Sequence, residues 1–298
     1  MNERKIRFPD INDIFEKAKS IDEIWTYYIQ GLRKDATNLD SISCANKLVS
    51  LNAMRTTDNI RFLDSEFQEI KEKVREISQK HGIPIIVKRR QKSFLGVIEK
   101  LKLLVEEGYQ NNTPIKSSLE RLLDFIGIRI VLCTGPVDNL ETVKLAYEVM
   151  NEILMFLFKE KSHELITLNY PKKKRVESYE EGMFVPEESM VLEAFQENVK
   201  DYIWRPKPGT LYQCLHAVTM NANRQILELQ VRTMAMDIRA EFGSAIHSDY
   251  KKLKYGTGDG EVVDLTKVHI PGFCVLPTGE IYDIIGLTQG IDPLNLLS

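Results

Sequence analysis

The chain has 298 residues, 43% of them apolar, enough for one large or two small domains with a real core. A formal net charge of −3 argues against a protein that coats nucleic acid, and the start Met1-Asn2-Glu3-Arg4-Lys5 leads into a charged stretch rather than an apolar signal core. No apolar run approaches membrane-spanning length, and the four cysteines, Cys44, Cys133, Cys214 and Cys274, form no CxxC pair, so a cytoplasmic protein with reduced thiols, no zinc site and no disulfide framework is expected.

Residues 10 to 35 carry Ile11, Ile14, Phe15, Ala18, Ile21 and Ile24 at roughly helical spacing. Further helices are expected over 41 to 55 and over 59 to 80, the latter with Phe62, Phe67, Ile70, Val74 and Ile77 among Glu and Lys and an end at His81-Gly82. All three read as packing elements. After Pro84, the short strand Ile85-Ile86-Val87 delivers Lys88, Arg89, Arg90 and Lys92 to the start of a helix over 93 to 107, and cations beside a helix N-terminus favour anions. Lys92 and Lys100 fall near one face, a pattern that a basic surface helix would also show.

Asp124 is followed by an almost continuously apolar run, Phe125 to Cys133, which reads as a central strand covered on both faces. Arg129 inside it is anomalous, because a buried guanidinium needs an anionic ligand or an internal acidic partner. Gly127 gives the backbone close access or serves tight packing. A helix over 138 to 159 buries Val143, Ala146, Tyr147, Met150, Ile153, Leu154 and Leu157, with a strand expected over 164 to 169 and a polar loop over 171 to 186. That loop holds the basic run Lys172-Lys173-Lys174-Arg175, most simply a solvated segment. A helix over 187 to 199 leads onward.

The richest stretch is 201 to 233. Residues 211 to 220 and 226 to 233 read as strands joined by the turn Asn221-Ala222-Asn223-Arg224. On the second strand Leu227, Leu229 and Val231 alternate with Glu228, Gln230 and Arg232, a half-buried pattern, and on the first Tyr212 and His216 share a face. If the polar faces coincide, an aromatic ring, an imidazole, a carboxylate, an amide and a guanidinium converge, a set able to stack a base, hold a metal and bind phosphate. A helix over 234 to 252 places Met234, Ile238, Phe242, Ala245 and Ile246 inward. Gly256-Thr257-Gly258-Asp259-Gly260 follows a helix, not a strand, and reads as a linker. The tail over 261 to 298 reads as a small β appendage that packs against the core.

The string Asp201-Tyr202-Ile203, Pro206-Lys207-Pro208, Tyr212-Gln213, Leu215-His216, then Glu228-x-Gln230-x-Arg232-Thr233, resembles the RelA/SpoT-type (p)ppGpp synthetase domain. Ala240-Glu241-Phe242-Gly243, His247 and Tyr250-Lys251 are similar to the helix that follows in long members. The resemblance covers roughly residues 62 to 252. It implies an α/β (α+β) fold, with a nucleotidyltransferase-like mixed β-sheet flanked by helices over 61–255; outside it, the residue pattern gives a helical N-terminal extension over 1–60 and a linker with a small β-rich tail over 256–298. Two departures are visible: Gly96 stands where the family has Ser, and Gly209-Thr210-Leu211 gives three residues where the family loop has two.

By that resemblance the reaction is transfer of pyrophosphate from ATP to the 3′-hydroxyl of GDP or GTP, with release of AMP. Asp124 and Glu228 are implied as Mg²⁺ ligands, Glu228 also being placed to take the hydroxyl proton. Arg90, Lys92, Lys100 and Arg129 are implied on the ATP side, and Lys207, Tyr212, Gln213 and His216 on the acceptor. Long members also carry a hydrolase domain built around a His-Asp dipeptide; the histidines here, at 81, 163, 216, 247 and 269, are never followed by Asp, so synthesis without that hydrolysis is expected. Two alternatives stay open: a toxin-like branch acting on the 3′ end of tRNA, and a catalytically silent nucleotide-binding module. A homo-oligomer is compatible with the sequence.

Overall fold

The computed structural model describes residues 5–56, 58–167, 179, 183–242 and 272–284. The described residues divide into two compact units, one drawn from Met1–Glu66 and Lys92–Phe125, the other from Phe67–Gln91, Ile126–Val262 and His269–Ser298.

The first unit is helical: α1 (Ile11–Lys17), α2 (Ile21–Arg33), α3 (Leu39–Thr56), α5 (Phe94–Gln110) and α6 (Ile115–Glu120), with α4 (Asp58–His81) beginning in it. The single helix expected over 10 to 35 is broken at Ser20. The Ser20 hydroxyl accepts from Glu23 N at 3.2 Å while the Glu23 carboxylate accepts from Lys19 N at 2.7 Å, so a capping pattern starts a new helix there. Trp25 anchors this core, its ring 5.1 Å from that of Phe94 and 6.2 Å from that of Phe125, both edge-on. Residues of the N-terminal segment thus share one core with the helix that follows Lys92.

The second unit is built on a mixed sheet. Its strands are β1 (Ile85–Gln91), β2 (Ile126–Leu132), β3 (Glu164–Leu165), β4 (Val199–Asp201), β5 (Leu215–Met220), β6 (Ile226–Thr233), β7 (Gly272–Val275) and β8 (Ile281–Ile284), ordered β3-β5-β6-β2-β1-β7-β8 with β4 also on β5. Among the described residues, only the β2–β6 pairing is parallel. α7 (Leu140–Lys159) follows β2 and buries its apolar stripe on β5 and β6, and α8 (Met234–Phe242) leaves β6 directly. The α/β class and nucleotidyltransferase-like mixed sheet expected from the sequence are present.

Several boundaries differ from expectation. β1 continues to Gln91 because its polar half pairs with β2 throughout. The helix expected over 187 to 199 is a single 3₁₀ turn at Glu193–Phe195 followed by β4: Val199 to Asp201 pair with the edge of β5, and tertiary pairing overrides the helical pattern. The strand expected from 211 begins at Leu215, and that expected over 164 to 169 is confined to Glu164–Leu165. The tail's β hairpin is part of the main sheet, β7 pairing with Ile85 to Val87. Of the helix expected over 234 to 252, only Met234–Phe242 is described; His247, the Gly256 to Gly260 stretch and the Lys172 to Arg175 run lie outside the described residues.

Candidate active site

Strand register explains how scattered motif residues meet. Lys88 on β1 faces Arg129 on β2, Arg129 faces Gln230 on β6, and Gln230 faces His216 on β5, so four polar side chains form one row across four strands. The next row runs Arg90, Gly127, Glu228, Val218. Gly127 places no side chain between Arg90 and Glu228, and Arg90 Nη1 reaches across β2 to within 3.3 Å of Glu228 Oε2. A Cβ at Gly127 would come 2.9 Å from the Glu228 carbonyl oxygen and 3.6 Å from Oε2. The glycine therefore serves close strand packing beside the carboxylate.

β6 is not the half-solvated strand its alternation suggests. It is central, and Glu228, Gln230 and Arg232 are all buried. Such burial is tolerable only with partners. Glu228 Oε1 accepts from His216 Nδ1 at 2.9 Å, and Oε2 accepts from Gln230 Nε2 at 2.8 Å. His216 Nε2 lies 2.9 Å from the Tyr212 hydroxyl. Burial disfavours a charged imidazole, but the Cys214 sulfur and the Glu228 carboxylate beside it outweigh that and raise the His216 pKa above its ordinary value.

Arg129 takes the internal-partner option. Its Nε donates to Gln230 Oε1 at 3.1 Å, and its Nη1 lies 3.8 Å from Asp237 Oδ1. Asp237, on α8, also pairs with Arg232 and accepts from Lys88 Nζ at 3.1 Å. Burial alone would raise its pKa; Arg232, Lys88 and Arg129 reverse this and hold the carboxyl down at about 2. Sequence reading missed Asp237. The available signal was an acid five residues beyond Arg232, within a run otherwise suited to the core.

Tyr212 reaches His216 from the loop before β5, not from the strand, so the two do not meet through the alternation that the sequence suggested. Asp201 ties down the start of that loop, accepting from the Tyr147 and Ser189 hydroxyls and from the backbone N–H groups of Ile203 and Trp204 at 2.6–3.0 Å. Burial raises the Asp201 pKa against these donors. The turn carrying the extra residue is closed by Lys207 N to Tyr212 O at 3.1 Å and Leu211 N to Lys207 O at 2.9 Å. Leu211 adopts φ 51°, a left-handed conformation costing a non-glycine residue about 1–3 kcal/mol. This turn sets Lys207 Nζ 4.6 Å from the Tyr212 ring centre and 4.7 Å from that of Tyr202. Gln213 points inward instead: its Nε2 donates to the Phe184 and Ile203 carbonyls and its Oε1 accepts from Arg239.

In the first unit, Lys92 precedes the N-cap of α5 and pairs through Nζ with Asp124, while its backbone N donates to Phe125 O at 2.8 Å. Ser93 caps the helix, accepting from Gly96 N at 3.2 Å. A Cβ at position 96 would lie 3.2 Å from Lys92 Cγ and 3.3 Å from Ser93 Oγ, so glycine gives the Lys92 stem its room. Lys100 is half-buried two turns along α5.

Residues 89–255 match the family described as "Region found in RelA / SpoT proteins". The chain belongs to the RelA/SpoT family. It is similar to a GTP pyrophosphokinase rsh of Brucella melitensis, 26% identical over 257 residues, 76% of this chain and 26% of that protein. A guanosine-3′,5′-bis(diphosphate) 3′-pyrophosphohydrolase of Aquifex aeolicus is 29% identical over 182 residues, 61% of this chain and 18% of that one. A probable chloroplastic GTP diphosphokinase RSH2 of Arabidopsis thaliana is 48% identical over 54 residues, 18% and 8% of the two chains. This RelA/SpoT chain thus spans about a quarter of the length of the Brucella relative. Among its described residues, no helix is long and apolar enough to cross a membrane.

Proposed function

We propose that this RelA/SpoT protein transfers pyrophosphate from ATP to the 3′-hydroxyl of GDP or GTP. The observation that carries the reading is the Glu228 carboxylate, held on the sheet face by Arg90, His216 and Gln230 and reached from the acceptor loop through Tyr212. In the step proposed, the 3′-oxygen bonds to the β-phosphorus and the bond from that phosphorus to the α,β-bridging oxygen breaks. AMP leaves with the bridging oxygen, and the hydroxyl proton passes to Glu228.

Arg90 and Arg129 would grip the adenosine side, and Lys92 and Lys100 the phosphates. Tyr212 would stack on guanine, with Lys207 and His216 on the acceptor's phosphates or ribose. Gln213 would support the acceptor through the loop it fastens. Carboxylate oxygens suit Mg²⁺, and Glu228 and Asp124 are the two carboxylates proposed as its ligands. When bound, Mg²⁺ offsets charge on the transferring group. Lys92 would hold Asp124 in place through their ion pair.

The deciding experiment measures AMP release from ATP with GDP, GTP and deacylated tRNA across a salt series, for the wild type and a variant with Lys172 to Arg175 neutralised. Product from GDP or GTP that is indifferent to the neutralisation is expected. Pyrophosphate on tRNA alone, falling with salt by roughly 0.7–0.9 log units per phosphate contact, would assign the tRNA-directed reaction. Binding without any turnover would assign a silent module.

A further inference from the structure

The proposed reaction makes no use of Asp237, yet the sheet face is built on it. Its side chain and that of Arg232 are 9% and 0% exposed, whereas those of Arg129 and Lys88 are 16% and 34% exposed. A buried carboxylate and guanidinium therefore form a closed base, and two more open cationic groups rest on it. Lys88 and Arg129 are direct partners across β1 and β2, and Arg90 lies two residues further along the same face of β1 as Lys88. Arg129 is braced on its other side by Gln230, which in turn braces Glu228. Burying a charge costs several kcal/mol unless geometry repays it. Here the carboxylate is repaid by three cations, and its own position decides where two of them point.

We infer that Lys88 is a further binding residue for the adenosine end of the donor nucleotide, at its α-phosphate beside Arg90 and Arg129, and that Asp237 is the positioning residue that aims Lys88 and Arg129 at it. This rests on reading the site as one that binds ATP. Asp237 touches no substrate in this scheme. A carboxylate in the buried layer keeps each cation from swinging into solvent or onto Glu228, so the ligand meets them already oriented.

The test measures binding of a non-hydrolysable ATP analogue and of GDP separately, with melting temperatures, for the wild type, Lys88→Gln, Asp237→Asn and Asp237→Glu. Loss of one charge-assisted contact should weaken ATP-analogue binding about tenfold in Lys88→Gln and in Asp237→Asn. GDP affinity should stay unchanged, and Asp237→Glu should recover part of the loss. In turnover, the KM for ATP should rise more than kcat falls. ATP-analogue affinity unchanged in Lys88→Gln and Asp237→Asn, or equal loss of both nucleotides with a lower melting temperature, overturns the inference. Should Asp237→Asn not fold, Lys88→Gln decides alone, since Lys88 is the most exposed of the three cations that pair with Asp237. A wild-type protein that does not bind the ATP analogue overturns the reading of the site itself, a result distinct from wild-type binding that the substitutions leave intact.

Discussion

His216 Nδ1 and Glu228 Oε1 lie 2.9 Å apart although the two residues are not opposite each other in the β5–β6 ladder: His216 faces Gln230 and Glu228 faces Val218. The contact is diagonal, between rows. It leaves the opposite edge of the imidazole for Tyr212 and the second carboxylate oxygen for Gln230 and Arg90. One acidic group is thus linked to an aromatic loop residue, a strand amide and an arginine two strands away, so a change at any of them is felt at Glu228.

Glu228→Gln retains the shape of this junction and removes its charge. AMP formation should fall at least ~10²-fold while the circular dichroism spectrum and melting curve stay near those of the wild type. Asp124→Asn should behave alike in turnover. Near-normal turnover in either folded variant removes that carboxylate from the chemistry.

Tyr212 offers a ring and a hydroxyl that two substitutions separate. Tyr212→Ala should weaken guanine-nucleotide binding by roughly 1–3 kcal/mol and spare the ATP analogue. Tyr212→Phe keeps the ring under Lys207 and loses the contact with His216, so acceptor affinity should persist while the pH profile of turnover shifts. Calorimetric titration with each nucleotide distinguishes the two effects, and identical behaviour of both variants would assign Tyr212 to packing.

Asp237 makes a prediction about acid. Its folded pKa of about 2 lies below the ordinary carboxylate value near 4, so the stability it contributes is present above pH 4 and lost as pH falls through 2. The depression corresponds to about 2 kcal/mol. Urea unfolding of the wild type and Asp237→Asn from pH 6 to 2 should show a stability difference that is level above pH 4 and narrows below it. A difference independent of pH would mean the carboxylate is not charged in the folded protein.

Gly127→Ala places a methyl group against the Glu228 backbone. The added carbon should cost about 1–3 kcal/mol through overpacking and should depress turnover more than it depresses stability, because the displaced strand carries Glu228. Thermal melting and AMP release measured on one preparation test both halves, and activity retained at wild-type level would show that the β2–β6 pair yields freely.

The sheet face was legible in the sequence wherever chemistry and periodicity coincide. Glu228, Gln230 and Arg232 alternate with three aliphatic residues, and Arg129 stands out in an apolar run. Their mutual contacts depend on register across β1, β2, β5 and β6, which no local pattern encodes. Asp237 carried only a faint signal, its nearness to Arg232, because its partners Lys88 and Arg129 lie on distant strands, Lys88 149 residues away. The 187 to 199 helix failed for a related reason, since a modest helical pattern loses to edge pairing with a strand further along the chain. The start of α2 at Ser20 was a true local signal, a serine with glutamate three residues on, overshadowed by the hydrophobic spacing around it.

Pairing of β7 with β1 stops at Val87, just where the sequence of β1 turns from Ile85-Ile86-Val87 to Lys88-Arg89-Arg90. The apolar half of the strand is sealed by a neighbour, and the cationic half resists intermolecular docking through its own charge. Protection against aggregation is therefore split along a single strand. A protein lacking residues 272–284 would present Ile85 to Val87 as an open, uncharged template for another molecule's strand, and its first symptom would be concentration-dependent light scattering.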